Sequence, residues 1–339
     1  MKKLIIQIPC YNEEETLAIA LKELPKAVPG FDVVEWLIID DGSTDKTVEV
    51  ALENGVDHII SLGHNRGLAR GFMAGIEACL SLGADVIVNT DADNQYDATG
   101  IPDLVRPIVE QEAEFVIGER PISDTDHFSA VKKFLQKFGS WAVRVASKTA
   151  VPDAPSGFRA ISRDAAMRLY VFSEYTYTLE TIIQAGRSNI RVMSVPIRTN
   201  EDLRPSRLVK SIGSYVRRSM MTIIRIFLLY KPMRAFFLMG SVFWIMALLL
   251  GGRYLYELAI DADTQRIQSL VLTSILAMAG LICFAIAIVA DLLAMQRRLL
   301  EEIRYRLLRS DLDNDRAPVF AAEMHTAPKS SVKLKSERT

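Results

Sequence analysis

The sequence has few residues with which to build a soft-metal or redox site. Its 339 residues include three cysteines and four histidines. Cys10, Cys79 and Cys283 are far apart and show neither metal-ligand nor redox spacing, and the histidines form no cluster. No disulfide framework is expected, which suits a cytoplasmic catalytic domain.

The chain also lacks an excess of charge of either sign, because 40 Lys and Arg residues face 41 Asp and Glu residues. The net charge of −1 averages over unlike regions and indicates no partner. A signal peptide is not expected, because Lys2-Lys3 precedes only a short apolar run that is broken at Pro9. That run is predicted to be a buried first strand.

Short apolar runs alternate with amphipathic stretches from Met1 to about Asn200. The strands are predicted at Lys3–Ile8, Val33–Ile39, His58–Ser61, Asp85–Asn89 and Glu114–Ile117. The helices are predicted at about Glu14–Lys26, Thr44–Glu53, Leu68–Leu82 and Ile101–Gln111. This alternation predicts an α/β fold whose mostly parallel sheet carries helices on both faces.

Three of these strands end in polar turns, and such sheets bind ligands beyond the carboxyl ends of their strands. The turns are Pro9 to Glu13, Asp40 to Asp45 and Asp91 to Gln95. Pro9 is expected to end the first strand. Asn12 either caps the following helix or contributes to the site. Asp41 is expected to be free to accept a hydrogen bond, whereas Asp40 could be structural.

Asp91-Ala92-Asp93, followed by Gln95, is the most informative of these turns. Two carboxylates one residue apart can face one hard cation that also holds a diphosphate. Acidic residues are also common in turns, where they cap backbone groups, so this motif alone leaves both interpretations open.

Five motifs occur in order along the chain: Ile8-Pro9-Cys10-Tyr11-Asn12-Glu13, Asp40-Asp41-Gly42-Ser43-Thr44-Asp45, Asn65-Arg66-Gly67-Leu68-Ala69-Arg70, Asp91-Ala92-Asp93-Asn94-Gln95 and Ser156-Gly157-Phe158-Arg159. Together they resemble the GT-A-fold family 2 glycosyltransferases, in the branch that contains dolichyl-phosphate mannose synthase and bacterial polyprenyl-phosphate glycosyltransferases. The resemblance covers about residues 1–230. Each motif is weak alone, but their order is specific.

The resemblance implies an inverting, metal-dependent transfer of one sugar from a nucleotide diphosphate sugar to polyprenyl phosphate, either undecaprenyl or dolichyl. It implies contacts with the nucleotide sugar from Pro9, Tyr11, Glu13, Asp41, Asp91, Ala92 and Asp93. Mg²⁺ or Mn²⁺ would be held by Asp91, Asp93 and Gln95. The implied catalytic residues are Asp93, Arg120 and Arg159.

A polyprenyl phosphate is already anionic and needs no general base, whereas a sugar hydroxyl has to lose a proton. The chain offers arginines, whose planar guanidinium can bind two phosphate oxygens at once. The arginines expected to contact the acceptor or the diphosphate are Arg120, Arg198, Arg204 and Arg207. For Arg159 an intramolecular ion pair is the alternative.

Two apolar blocks follow, Ala235–Gly252 and Ser269–Ala290, long enough to cross a bilayer about 30 Å thick. The segment 201–234 carries most of nine Lys and Arg residues found from Arg198 to Arg234 and is predicted to be basic amphipathic helix on a membrane surface. Lipid is therefore the expected partner of this segment, rather than nucleic acid. The expected domains are 1–200 catalytic, 201–234 interfacial, 235–296 two transmembrane helices with an external loop at 257–268, and 297–339 a basic, largely disordered tail.

Basic residues flank both blocks on the side of the termini, and the loop between them carries three acidic residues. The positive-inside rule then places the catalytic domain and both termini in the cytoplasm, at a plasma (inner) membrane. A homo-oligomer is compatible with the sequence.

Two other functions remain open. The first is a transferase or polysaccharide synthase that acts on a sugar hydroxyl, although the Gln-x-x-Arg-Trp motif of processive relatives is absent. The second is a catalytically inactive membrane scaffold, against which the intact Asp91 and Asp93 argue.

Overall fold

The computed structural model describes residues 1–121, 144, 147, 149, 151–171, 177–200, 232–260, 267–314 and 324–326. These residues belong to two compact units. The first contains the described residues of Met1–Tyr215 and Arg304–Thr339, and the second those of Val216–Ile303.

Strands and helices alternate along the first unit. In chain order the elements are β1 (Lys3–Cys10), α1 (Leu17–Glu23), β2 (Val33–Asp40), α2 (Thr47–Glu53), β3 (His58–Ser61), α3 (Leu68–Ser81), β4 (Val86–Asn89), a 3₁₀ turn (Ala98–Gly100), α4 (Ile101–Val109), β5 (Phe115–Glu119), β6 (Arg159–Ser162), α5 (Arg163–Arg168), α6 (Thr178–Arg187) and β7 (Val192–Pro196). The second unit contains α7 (Pro232–Ile260) and most of α8 (Ile267–Asp313), and β8 (Met324–Thr326) returns to the first unit.

The described strands form one sheet in the order β7-β5-β6-β4-β1-β2-β3-β8. β1 pairs in parallel with β2 and β4, β2 with β3, and β5 with β7. β6 runs antiparallel between β4 and β5, and β8 pairs antiparallel with β3. The mostly parallel α/β sheet predicted from the sequence is confirmed.

Both faces of β1 are covered, which explains its nearly continuous apolar sequence. Leu4, Ile6 and Ile8 join a buried cluster that includes Leu17 of α1. Gln7 points to the opposite face, where α3 packs so closely that a Cβ on Gly75 would overlap the Gln7 side chain. A strand that is buried on both faces has a continuous apolar sequence and does not alternate between apolar and polar residues.

The expectation that Pro9 ends the first strand is wrong, because β1 continues to Cys10. The carbonyls of Lys3 and Gln7 accept hydrogen bonds on the β4 side of the strand. The backbone N–H and C=O groups of odd-numbered residues therefore point toward β4, whose pairing with β1 ends at Gln7. Pro9 lies beyond that point, so its missing N–H removes no bond from the ladder.

The second unit contains two helices of 29 and 47 residues, each long and apolar enough to cross a membrane by length and composition. The predicted spans lie within them. The helices approach closely at Gly240 and Gly280, since a Cβ on Gly240 would lie 2.7 Å from the Phe284 ring and one on Gly280 would lie 3.0 Å from the Gly240 carbonyl oxygen. Rings of Phe237 and Phe284 pack beside this point with centroids 5.0 Å apart.

Residues 298–314 and 324–326 differ from the disordered tail that was expected from residue 297 onward, and the rest of that predicted tail lies outside the described residues. α8 remains helical to Asp313, and its last ten residues belong to the first unit. Met324–Thr326 pairs with β3. The sequence around Arg304 is polar, yet Tyr305 and Leu308 are buried. Arg304 and Tyr305 donate hydrogen bonds to Leu169 and Asp164 of the first unit.

Candidate active site

The three polar turns meet at one edge of the sheet, as the sequence predicted. β4, β1 and β2 are neighbours, and their carboxyl ends lie at the same edge because all three are parallel. Cys10 pairs with Asp40, and Gln7 pairs with Asn89. The turns that follow these residues therefore surround one region beyond the strand ends.

The first two turns are joined by reciprocal hydrogen bonds. Asn12 donates its N–H to the Ser43 hydroxyl at 3.0 Å, and its side-chain oxygen accepts from the Thr44 N–H at 2.8 Å. Glu14 donates its N–H to the Asp45 carboxylate at 3.1 Å. Asn12, which has a φ of 56°, thus links two turns and does not simply cap its own helix. The same bonds delay the start of α2, which begins at Thr47 instead of Thr44.

The predicted nucleotide contacts Pro9, Tyr11 and Glu13 all lie at this edge. Tyr11 is 42% exposed, so its ring can be reached by a ligand. Glu13 is fixed in place, because its N–H donates to the Thr47 hydroxyl at 2.8 Å and its carboxylate accepts from the Thr16 hydroxyl at 2.9 Å. Contacts of these residues with a nucleotide stay predictions.

Asp41 is not free, contrary to the expectation. It is buried, and its two oxygens accept from the N–H groups of Arg66 at 2.7 Å and Gly67 at 2.9 Å. Burial raises its pKa above the ordinary value despite these hydrogen bonds. Gly42 permits the close approach, since a Cβ there would lie 2.5 Å from His64 Cα. Asp41 therefore holds the loop that leads into α3, and a contact with the base would have to use its remaining lone pairs.

Asp40 has the structural role that the sequence left open. It is buried and accepts from the Ser43 N–H at 2.8 Å and from the Ser61 hydroxyl at 3.0 Å. It thereby joins the turn after β2 to the end of β3.

Asp91 and Asp93 occupy the turn after β4. Burial and the nearby Asp93 carboxylate raise the pKa of Asp91 to about 7. Asp93 accepts the Gln95 N–H at 3.1 Å. The Ala92 methyl is instead buried in the core, so only the backbone of this residue can face a ligand.

The donors in this turn fit a divalent cation. Two close carboxylates whose repulsion disfavours ionisation are stabilised when a cation lies between them. Within the described part of the chain, no group of three or more His, Cys, Asp or Glu side chains could hold a metal. A cation here would need oxygens from a bound diphosphate and water as well, which is typical of Mg²⁺.

A buried polar network supports Asp91 from below, and sequence reasoning missed most of it. Asn89 donates to the Gly157 carbonyl at 2.9 Å and to the Tyr177 hydroxyl at 3.0 Å, and accepts from Gln7 at 2.9 Å. A Cβ on Gly157 would lie 2.9 Å from an Asp91 oxygen. The signal was present in the sequence, because Gln7 and Asn89 are polar residues in otherwise apolar strands.

Arg159 lies beneath the site and is not exposed to it. Its guanidinium is fully buried and donates to the carbonyls of Ser156 at 2.7 Å and Ala154 at 2.9 Å, and to the Thr181 hydroxyl at 2.6 Å. Burial lowers its pKa to about 10. The catalytic role that the resemblance implied for it does not fit a guanidinium without exposed surface, and the hydrogen bonds it makes go to carbonyls and a hydroxyl, not to the carboxylate of the alternative ion pair.

Arg120 is held by a residue that the sequence analysis did not consider. Asp153 is fully buried and accepts from Arg120 Nε at 2.7 Å and from its terminal nitrogen at 3.0 Å. Burial lowers the pKa of Arg120, but the hydrogen bonds to Asp153 and the charges of nearby acidic groups, including Asp153 and Asp91, together outweigh burial and raise the pKa. One fifth of the Arg120 side chain remains exposed, so a contact with phosphate stays a prediction.

Of the remaining predicted arginines, only Arg198 belongs to the described residues, and its contact with a phosphate stays a prediction. Arg198 is exposed, and its carbonyl accepts from the Asp97 N–H at 3.3 Å. Arg204 and Arg207 lie outside the described residues. Gly67, in the middle of the third motif, has a φ of 90° and directly precedes α3, which begins at Leu68 as the sequence predicted.

Comparison with known proteins gives matches over the region that contains the site. The family model described as Glycosyl transferase family 2 matches residues 5–170. An undecaprenyl-phosphate mannosyltransferase of Micrococcus luteus is 30% identical over 200 residues, which cover 56% of this chain and 80% of that protein. A UDP-N-acetylglucosamine–dolichyl-phosphate N-acetylglucosaminyltransferase of Methanococcus voltae is 29% identical, with 58% and 86% covered.

A solved structure shares the fold. The glucosyl-3-phosphoglycerate synthase of Mycobacterium tuberculosis, crystallised with Mn²⁺, UDP-glucose and phosphoglyceric acid, matches with a TM-score of 0.51 and 18% identity. The match covers 67% of this chain and 79% of that one.

Proposed function

Because this chain belongs to glycosyl transferase family 2, we propose that it transfers one sugar from a nucleotide diphosphate sugar to a polyprenyl phosphate, with inversion at the anomeric carbon. The observation that carries the proposal is the Asp91 and Asp93 pair, which lies at the sheet edge where two further polar turns meet. The polyprenyl-phosphate acceptors named for both relatives support the choice of acceptor.

The donor would lie across the three turns. Tyr11 and Glu13 would contact the nucleoside, while Asp91 and Asp93 would face its diphosphate through a cation. A bound Mg²⁺ or Mn²⁺ would supply a Lewis acid that stabilises the charge developing on the leaving diphosphate. The hydrogen bonds of Asn12 and Asp41 hold the turns in position before the donor binds. The binding free energy is therefore reduced little by the entropy of ordering these turns.

The acceptor would need to be oriented but not deprotonated. An oxygen of the lipid phosphate forms a bond to the anomeric carbon while the bond from that carbon to the diphosphate oxygen breaks. The nucleoside diphosphate leaves with the electron pair, and no proton has to be removed from the nucleophile. Arg120, whose guanidinium is held by Asp153, would contact the phosphate.

The catalytic unit would act at the cytoplasmic face of a membrane. Support comes from the two helices that are long and apolar enough to span a bilayer, and from the basic residues that flank them.

The direct test is Asp93→Ala in purified protein reconstituted into membranes, with labelled donors and undecaprenyl or dolichyl phosphate. Sugar transfer should fall by at least about a hundredfold, since charge stabilisation at the leaving group would be lost. Asp103→Ala, an exposed carboxylate on α4, is the matched control. Undiminished transfer by the Asp93 variant would reject the site.

The product separates this proposal from transfer to a sugar hydroxyl. Mass spectrometry of the extracted lipid should show a singly glycosylated polyprenyl phosphate. A growing polysaccharide, or a sugar added to a finished glycolipid, would instead support the alternative.

A further inference from the structure

The turn that carries Asp91 and Asp93 is held from outside by a short segment that follows β7. We call residues 198–200 the strap. Tyr96 forms an antiparallel bridge with Thr199. Asn200 donates its N–H to the Gln95 carbonyl at 3.0 Å, and the Arg198 carbonyl accepts from the Asp97 N–H at 3.3 Å.

The Asn200 side chain completes this attachment. Its amide nitrogen donates to the Asn94 carbonyl at 3.1 Å and to the Glu23 carboxylate at 3.2 Å. Asn94 is buried and has a φ of 55°, in the left-handed region that non-glycine residues rarely adopt. Asparagine tolerates this conformation better than most residues, and Asn200 adds hydrogen bonds to the carbonyls of both Asn94 and Gln95.

The other side of the turn has an independent anchor. The Tyr96 hydroxyl accepts from the Gly157 N–H at 2.9 Å, and its ring stacks on Phe158 with centroids 5.2 Å apart. Tyr96 therefore fixes the turn toward the sheet. The strap fixes the residues between Asp93 and Tyr96, which Tyr96 does not reach.

We propose that Asn200 is a positioning residue for the cation site: it touches neither metal nor substrate, but holds Asn94 and Gln95 so that the Asp91 and Asp93 carboxylates converge before the cation binds. The inference rests on the proposed function only for the presence of a cation and a nucleoside diphosphate. Without these bonds, the turn has to be ordered at the moment of binding, and affinity falls by the cost of that ordering.

The test is Mn²⁺ affinity, measured by electron paramagnetic resonance with the full-length protein and UDP or GDP, without any acceptor. Asn200→Ala should weaken Mn²⁺ binding about five- to tenfold, the size expected from the loss of one or two hydrogen bonds. At saturating Mn²⁺, the kcat for sugar transfer should stay within about twofold of the unsubstituted protein. A general loss of structure would lower kcat as well and would not be restored by metal.

Asn54→Ala is the matched control. Asn54 also donates its side-chain amide to a backbone carbonyl, that of Val50 at 2.7 Å, but at the far end of α2. It should leave Mn²⁺ affinity unchanged. Asn200→Ser provides a second, uncharged variant in case the alanine variant does not fold, because it keeps a polar side chain and the backbone bond to Gln95 while removing the amide donor to Asn94 and Glu23. It should weaken Mn²⁺ binding by a similar factor.

The possible results are distinct. Mn²⁺ affinity within twofold of the unsubstituted protein in both Asn200 variants would overturn the inference, and so would a fall in kcat at saturating metal without a change in affinity. If the unsubstituted protein binds Mn²⁺ and nucleotide but glycosylates no polyprenyl phosphate, the proposed acceptor is wrong while this inference stands. If it binds no Mn²⁺ with either nucleotide, the metal-dependent function fails and the inference fails with it.

Discussion

At the scale of single residues, the site contains a carboxyl group whose ionisation works against folding. Burial and the charge of Asp93 raise the pKa of Asp91 to about 7 from an ordinary value of 3.8. The folded protein therefore retains a proton that the unfolded chain releases earlier, so stability is lost as pH rises between these two values.

We expect Asp91→Asn to remove the loss of stability that accompanies rising pH. Without metal, the free energy of unfolding of the unsubstituted protein should fall by about 2 to 4 kcal/mol from pH 4 to pH 8, after allowing for relaxation around the carboxylate. The variant should lack this part of the pH dependence. Denaturant unfolding in detergent across that range measures the difference.

Asp103→Asn, at an exposed position on α4, should keep the full pH dependence. Addition of Mn²⁺ with a nucleoside diphosphate should restore stability at pH 8 to the unsubstituted protein and not to the Asp91 variant. Parallel pH profiles for the two proteins would show that Asp91 is not perturbed.

Other residues owe their place at least in part to distant parts of the chain. Nothing near Arg159 in sequence requires its burial, yet Thr181, on a later helix, completes its set of hydrogen bonds. Asp41 has the right chemistry for a free acceptor, but the loop at Arg66 occupies it. Sequence reasoning identified the polar residues near the strand ends, but could not separate those that face a ligand from those that hold the pocket together.

At the scale of secondary-structure elements, the end of α8 is part of the catalytic unit. Arg304 ion-pairs with Glu77 on α3 at 3.3 Å, donates to the Leu169 carbonyl at 3.1 Å, and lies over the Tyr170 ring at 4.5 Å. The Tyr305 hydroxyl donates to an Asp164 oxygen at 2.8 Å. The helix end therefore bonds to groups at both ends of α5 and to Glu77 of α3.

Arg304→Ala should destabilise the catalytic unit by about 2 kcal/mol, because Glu77 is left largely buried without its positive partner. Burial already raises the pKa of Glu77, so the loss should be larger at pH 8 than at pH 5. Thermal unfolding followed by tryptophan fluorescence at pH 5 and pH 8 measures this destabilisation. Arg298→Ala, an exposed arginine on the same helix, is the control and should have little effect.

The paired helices of the second unit depend on two glycines. Gly280→Leu should separate α7 from α8, since the Gly240 carbonyl and the Trp244 ring already occupy the space beside Gly280. We expect a lower melting temperature of the purified protein in detergent. Gly252→Leu is the control, because nothing lies within 4 Å of a Cβ at that position. Equal melting temperatures for both variants would contradict a close helix crossing.

At the scale of the whole molecule, the charge pattern predicts the orientation in the membrane. A cysteine introduced at Asp263, between the two apolar helices, should react with a membrane-impermeant maleimide in intact cells. A cysteine at exposed Lys22 should react only after permeabilisation. The three native cysteines are buried, so background labelling should be low. Labelling in the reverse order would place the catalytic unit outside.

The sequence by itself determined strands β1 to β5, the helices between them and the polar turns at one edge, but not strands β6, β7 and β8. The elements that it determined depend on short-range patterns: apolar runs of strand length, amphipathic helices between them, and turn residues where strands end. It also determined the two apolar helices, because about 20 consecutive apolar residues already specify a span. Motif order was enough to identify the family.

Only the tertiary structure decided how the site is held together. Asn200 reaches a turn more than a hundred residues earlier, Asp153 pairs with Arg120, and Arg304 returns to Glu77 across more than two hundred. Such bonds join side chains that become neighbours only after the sheet has formed. The local pattern of residues along the sequence does not show which distant side chains will be neighbours. Asp91 and Asp93 were visible in the sequence as candidate ligands, but the residues that make them converge were not.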